Sequence, residues 1–290
     1  MDKSLDKLKL ISSMIIFGTI GAVRRYIPYS SSIIAFVRGT VGTLFLLLIS
    51  LIKKEKFNFG AIKQNLPILC VSGVLLAANW ILLFEAYRYT SVAVATVCYY
   101  MAPVFVILVS PFFLHEALTV KKGLCSLVAV IGMVMVSGVI ETGFSGIRGV
   151  VFGLIAASMY AGIIILNKFI RNLSGNERTM IQLGISAVIL LPYVIITEDF
   201  SSLTVNPFII SMLAVAGIVH TGIAYALYFG SIKNIPAQTV ALLSYLDPII
   251  AVILSVVLLN EKISVISGVG IVLVIGATLL SEIDFGKKEN

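Results

Sequence analysis

The sequence predicts an all-α integral membrane protein of ten transmembrane helices, arranged as two inverted five-helix repeats. Three observations lead there. Hydrophobic residues make up 59% of the 290 residues and charged residues only 12%, against about 25% charged in a soluble chain. The apolar residues gather into ten runs long enough to cross a bilayer, and mean hydropathy is +1.07. One phrase of sequence also occurs twice, at constant spacing, in the two halves.

A spanning helix needs about 20 apolar residues. Cutting the chain at charged residues and at Pro, Asn and Gly-Ser clusters gives spans over 8–27, 31–52, 66–88, 91–114, 120–140, 148–170, 177–197, 206–232, 236–259 and 263–283. Continuous apolar runs exclude a transmembrane β-barrel, whose strands alternate over about ten residues. The first run follows Lys3 and Lys7 but is too long for a signal-peptide core and leads straight into further spans, so it is read as an uncleaved helix. The loops are short; the longest, 53–65 and 198–205, are too small for a separate domain.

The repeated phrases run from Ile81 to Ala117 and from Ala226 to Lys262. At an offset of 145 residues Leu82 matches Leu227, Phe84 matches Phe229, Tyr100 matches Tyr245 and Pro103 matches Pro248. Ser110, Leu114, Glu116 and Gly123 then match Ser255, Leu259, Glu261 and Gly268. The mid-run proline and the boundary glutamate carry most weight, because both are rare in apolar sequence. The chain divides into units 1–145 and 146–290. Five spans per unit is an odd number, so the second unit enters the bilayer from the opposite side, a construction that places a substrate site between the repeats near mid-membrane.

The net charge of +7 reflects orientation and not nucleic-acid binding. Lys3, Lys7, Lys9, Lys53, Lys54, Lys56, Lys63, Lys121, Lys122, Lys168, Arg171, Arg178, Lys233, Lys287 and Lys288 fall on one side. Arg24, Arg25, Arg88, Arg148 and Lys262 fall on the other. The bias puts both termini in the cytoplasm. Cys70, Cys98 and Cys125 stand singly in apolar runs and read as small buried hydrophobes. Gly149 and Gly153 form a GxxxG, read as packing within the bundle and not as a dimer face.

The phrases AYRYTSVAVATVCYYMAPVFVILVSPFFLHE and GSIKNIPAQTVALLSYLDPIIAVILSVVLLNE each run from a basic helix end to an apolar span interrupted by Pro and closed by Glu. In this the chain resembles the EamA family of the drug/metabolite transporter superfamily over residues 10–282. The resemblance implies ten helices, cytoplasmic termini, and movement of small organic solutes through a central cavity. Asp247 before Pro248, where the family often has Glu, and His115 before Glu116, where it has Gly or Asn, are departures that bear on substrate more than on fold.

Ionisable groups inside spans are costly and point to a site. Asp247 lies ~16 Å into its span at 1.5 Å per residue, and Pro248 after it frees a backbone carbonyl near Ser244. It reads either as a carboxylate for a cation or proton, or as a structural acid bonded to backbone. Arg38 reads as a guanidinium for a substrate carboxylate or phosphate, or as a side chain paired with Glu85; Gln182 stands near the same place in the second repeat. Asn79 and Trp80 read as cavity wall, and Glu85 as a second candidate for a cation. His220 is a candidate proton carrier or a hydrogen-bonded neutral core residue. Tyr99, Tyr100, Tyr225, Tyr228 and Tyr245 offer aromatic faces for flat or cationic solutes, with ordinary packing as the alternative. Glu116 and Glu261 read as partners of Lys121 and Lys262 or as loop caps.

These features together predict a secondary transporter of small organic metabolites, with amino acids or related amphiphiles as substrate, export as direction and alternating access as mechanism. A proton-coupled exporter of drugs or amines is the alternative. An embedded enzyme lacks a metal or nucleophile motif, and a channel lacks rings of like charge. The expected partners are a small-molecule substrate, the lipid bilayer and protons as a candidate coupling ion, with no nucleic acid. No cofactor or metal is expected. The oligomeric state is read as monomer or weak homodimer, in the cytoplasmic membrane of a bacterium.

Overall fold

A computed structural model describes residues 3–114, 119–136, 140, 146–231, 243–244 and 246–282. His115, Glu116, Lys233 and Tyr245 lie outside these, so the readings of those four residues have no structural counterpart here. All regular structure among the described residues is helical. In chain order the helices are α1 (Lys3–Gly18), α2 (Ile20–Arg25), α3 (Ser31–Ile52), α4 (Phe59–Tyr89), α5 (Val92–Tyr99), α6 (Ala102–Phe113) and α7 (Val120–Val136). Then come α8 (Ile147–Phe169), α9 (Gly175–Thr197), α10 (Pro207–Ala214), α11 (Ala224–Ser231), α12 (Leu246–Val257) and α13 (Val265–Glu282). A π-helical segment, Val215–Ile223, joins α10 to α11.

Local chemistry sets the helix starts. The Ser30, Asn58, Ser91 and Asn206 side chains accept from the backbone N–H three residues on, and Ser174 forms a reciprocal capping box with Glu177. Each such cap is worth about 1 kcal/mol. Among the described residues six segments are long and apolar enough to cross a membrane: Ser31–Ile52, Phe59–Tyr89, Val92–Phe113, Ile147–Phe169, Gly175–Thr197 and Pro207–Phe229. Leu246–Val257 and Val265–Ala277 are shorter apolar helices. Large apolar side chains such as Leu48, Ile52, Val188, Ile196 and Val272 are exposed around the bundle. A surface this apolar suits lipid and not water, and the chain is a multi-pass membrane protein.

Two spans expected to be continuous are interrupted. The first breaks at Thr19, between α1 and α2, where the Thr19 hydroxyl donates to the Ile16 carbonyl at 2.7 Å. The 91–114 run breaks at Tyr100 and Met101, because Pro103 opens α6 and cannot donate into the preceding turn. The fourth helix starts seven residues earlier than its apolar run, since Asn58 caps it at Phe59 and Pro67 is accommodated inside.

The packing is paired. α7 lies on α13, α4 on α8, α3 on α9, α4 on α9, α3 on the π segment, α1 on α11 and on α12, and α5 on α8 and on α12. One core cluster centres on Ile34, Leu46, Phe84 and Leu183, and a second on Val97, Met101, Val136 and Val274. The GxxxG glycines serve this interior: a Cβ on Gly149 would meet Thr90 at 2.7 Å, and one on Gly153 would meet Cys98 at 2.7 Å.

Candidate functional site

Arg38 sits in α3 where Gly39 and Gly42 let the helix press against α9 and the π segment. It is 5% exposed. Its Nε donates to the Thr221 hydroxyl at 3.1 Å, and its guanidinium carbon lies 4.3 Å from the Trp80 ring centroid and 5.4 Å from that of Phe84. A guanidinium has five N–H donors in a fork. Among the described residues it pairs with no carboxylate; the Trp80 and Phe84 faces and the Thr221 hydroxyl surround it instead. Thr221 in turn donates to the Ala216 carbonyl at 3.0 Å, five residues back, a spacing that belongs to the π segment.

Tyrosines approach this cation from other helices. Tyr225 on α11 lies within electrostatic reach of Arg38, as do Tyr99 and Tyr87. Tyr99 stacks on Tyr160 of α8 at 5.3 Å between centroids, and Tyr225 stacks on Phe229 at 6.0 Å. The Tyr100 side chain is hydrogen-bonded to Asp247, and Asp247 is within electrostatic reach of Tyr160 and Tyr225. Tyr160 is 39% exposed although its ring stacks on another helix. The backbone of Asp247 abuts α1, where a Cβ on Gly18 would stand 2.6 Å from its carbonyl oxygen. The result is a buried cation and a half-buried carboxylate set among phenol rings.

The remaining candidates separate into groups. Trp80 forms the wall over Arg38. Asn79 is fully buried, donates to the Ala156 carbonyl at 2.6 Å and accepts from Tyr99 at 3.4 Å, so it orients the tyrosine wall and ties α4 to α8. Glu85 is not the partner of Arg38. It accepts from Arg88 at 2.9 and 3.1 Å and from Ser31 at 2.6 Å, near the end of α4. Gln182 donates both amide protons elsewhere, to Ser72 and Asn167, each at 2.7 Å, and joins α9 to α4 and α8. His220 is 2% exposed, with Nε2 at 2.6 Å from the Thr19 hydroxyl and Nδ1 at 3.1 Å from the Val215 carbonyl. It therefore holds the break in the first helix against the π segment. Glu261 pairs not with Lys262 but with Arg25, at 2.8 Å.

Sequence reasoning passed over Tyr160, Thr221 and Thr19. Tyr160 had one legible signal, a polar aromatic beside Ala156, Ala157 and Ala161, where small residues mark a buried helix face. Thr19 and Thr221 gave none, because a threonine in an apolar run is ordinary.

The sequence model of the EamA-like transporter family matches the chain twice, over residues 7–138 and 147–282. The chain belongs to the EamA-like transporter family. It is 32% identical over 286 residues to the uncharacterized transporter YxxF of Bacillus subtilis (strain 168), covering 96% of this chain and 90% of that protein. It is 31% identical over 146 residues to the pseudopaline exporter CntI of Pseudomonas aeruginosa (strain UCBPP-PA14), about half of each chain. A crystal structure with 18% sequence identity superposes with a TM-score of 0.68 over 96% of both chains, which speaks to the fold alone. This EamA protein is thus a membrane transporter.

Proposed function

We propose that this EamA-family transporter moves small organic metabolites, amino acids or related amphiphiles, across the cytoplasmic membrane by alternating access, in the export direction. One observation carries the reading: Arg38 is a buried cation with an aromatic roof and no carboxylate partner among the described residues. A buried charge without a counter-ion is expensive, and a substrate anion would supply what is missing. Asp247, held by Tyr100, would take the ammonium end of the same molecule, and Trp80, Tyr99, Tyr100 and Tyr245 would wall it, with Asn79 behind them. In this reading Glu85, Gln182 and His220 shape the site from the rim and the framework.

The architecture that goes with this reading is ten spans in two inverted units, 1–145 and 146–290, with both termini cytoplasmic. The packing supports it. Exchanging the halves turns the contact of α3 with the π segment into that of α9 with α4, the contact of α1 with α11 into that of α8 with α4, and that of α1 with α12 into that of α8 with α6; each of these pairs is present. The contact of α7 with α13 maps onto itself. Export draws support from the relative named as a pseudopaline exporter.

The test is transport in proteoliposomes loaded with a mixture of labelled amino acids. Arg38→Ala abolishes efflux of the accepted substrate, and Arg38→Lys restores part of it. Full activity in Arg38→Ala would sink the assignment. A second reading, a proton-coupled exporter of amines, is favoured by the Tyr100–Asp247 contact. In that case Asp247→Asn abolishes amine-driven proton release while Arg38→Ala does not.

A further inference from the structure

The Arg38 cluster does not account for a cavity at the end of the bundle where α3 stops and α9 begins. Its volume is about 550 Å³, and Lys53, Lys56 and Arg178 all line it, as does Phe229 of α11. Two carboxylates line it as well, and the structure engages both. Glu177 accepts from the backbone N–H groups of Asn58 at 3.1 Å and Ser174 at 2.9 Å. Glu55 accepts from Ser50 at 2.9 Å and Asn176 at 3.3 Å. None of the three cations is paired with a carboxylate among the described residues.

Arg178 is the unusual member. Its Nε is buried without a hydrogen-bond partner, and its Nη1 makes only a 3.4 Å contact with the Asn167 carbonyl. A buried guanidinium N–H without an acceptor is uncommon, and the rest of the fork, held by that one weak contact, lines the cavity, where its planar geometry suits carboxylate or phosphate. The cavity also leads somewhere. Phe229 on its wall stacks on Tyr225, which lies within electrostatic reach of Arg38, and Arg178 is within reach of Tyr228 on the same helix. A continuous aromatic face on α11 thus joins the two cationic places.

We infer that this cavity is a second anion-binding subsite, in which Arg178, with Lys53 and Lys56, holds the carboxylate or phosphate group of a substrate on its way to or from Arg38. The inference rests on the reading of Arg38 as the anion-binding group of the transport site. The same oxygen chemistry could come from a free solute or from an anionic lipid headgroup, and the experiment separates the two.

The full chain is placed in nanodiscs of pure phosphatidylcholine at low ionic strength, and its melting temperature is followed with added succinate and inorganic phosphate. Saturable stabilisation by at least one of them is expected, lost in Arg178→Gln and retained in Arg38→Ala. Lys53→Gln combined with Lys56→Gln, two exposed side chains whose change does not threaten folding, weakens the apparent affinity three- to tenfold. Added salt narrows that difference by screening. Stabilisation that survives in Arg178→Gln but vanishes in Arg38→Ala overturns the subsite and leaves the deeper site standing. No stabilisation in phosphatidylcholine, but an Arg178-dependent rise when phosphatidylglycerol is included, assigns the subsite to a lipid headgroup and overturns its place on the transport route. No response to either anion or to phosphatidylglycerol, or unchanged affinity in the double lysine variant, overturns the inference outright.

Discussion

Arg25 and Glu261, 236 residues apart in sequence, meet at 2.8 Å between Nη2 and Oε1. The same carboxylate accepts from the backbone N–H groups of Val92 at 3.0 Å and Ala93 at 3.4 Å, at the start of α5. One side chain therefore fastens three parts of the chain: the end of α2, the first turn of α5 and the segment after α12. A carboxylate at a helix start also meets the positive end of the helix dipole. Further ties stand at this end of the bundle, Arg88 to Glu85 and Ser32 to Glu198. The cavity lined by Lys53 and Arg178 lies at the other end.

Glu261→Gln keeps the size of the side chain and removes its charge. The ion pair and the strength of the cap both fall, by about 1–2 kcal/mol together, so the melting temperature drops and transport slows. Arg25→Ala has the smaller effect, because the Arg25 side chain is 44% exposed and exposed ion pairs contribute little. Thermal unfolding in detergent ranks the two. A larger drop in Arg25→Ala than in Glu261→Gln would show that the cap carries less than the pair.

The roof over Arg38 gives a second prediction. Trp80→Phe preserves an aromatic face and costs little. Trp80→Leu removes the cation–π contact, worth about 2 kcal/mol where the cation is desolvated, and lets the guanidinium shift. Apparent substrate affinity should fall roughly thirtyfold in Trp80→Leu and less than threefold in Trp80→Phe, measured as transport at varied substrate concentration. Equal losses would mean that the ring only fills space.

Glycines on the α7–α13 contact separate packing from propensity. A Cβ on Gly132 would stand 2.8 Å from the Gly270 carbonyl oxygen, and one on Gly270 would stand 2.6 Å from that of Gly132. Gly132→Leu or Gly270→Leu should force the helices apart and lower the yield of folded protein. Gly123→Ala and Gly268→Ala, with nothing within 4 Å of either new Cβ, should be neutral or slightly stabilising. Size-exclusion profiles of the four variants check this directly.

The spans were legible because a lipid-facing helix declares itself by composition, as in Ser31–Ile52, where structure and apolar run coincide. Arg38 and Asp247 were legible for the converse reason, that charge in such a run is conspicuous. Their surroundings were not. Arg38 leans on Thr221, and Glu261 on Arg25, through tertiary contacts that no local pattern encodes. Glu85 was misjudged as a possible partner of Arg38 because helix position alone does not reveal that Arg88 and Ser31 already hold it. The π segment was hidden as well, since an extra residue in a turn leaves an apolar run unchanged.

That segment sets the last prediction. His220 reaches from it to Thr19, the point at which the first helix breaks, while its neighbour Thr221 reaches Arg38. π-helical turns recur at functional sites, and here two adjacent side chains connect the break, the π turn and the buried cation. His220→Ala and Thr19→Val each remove the same 2.6 Å hydrogen bond, so each should slow transport, and the double variant should be no worse than His220→Ala alone. A double-mutant cycle on transport rate measures the coupling, which for residues in contact runs to about 0.5–3 kcal/mol. Additive losses would mean that His220 and Thr19 act separately. In that case the π segment would serve only to seat Thr221 against Arg38, and His220→Gln should leave transport unchanged.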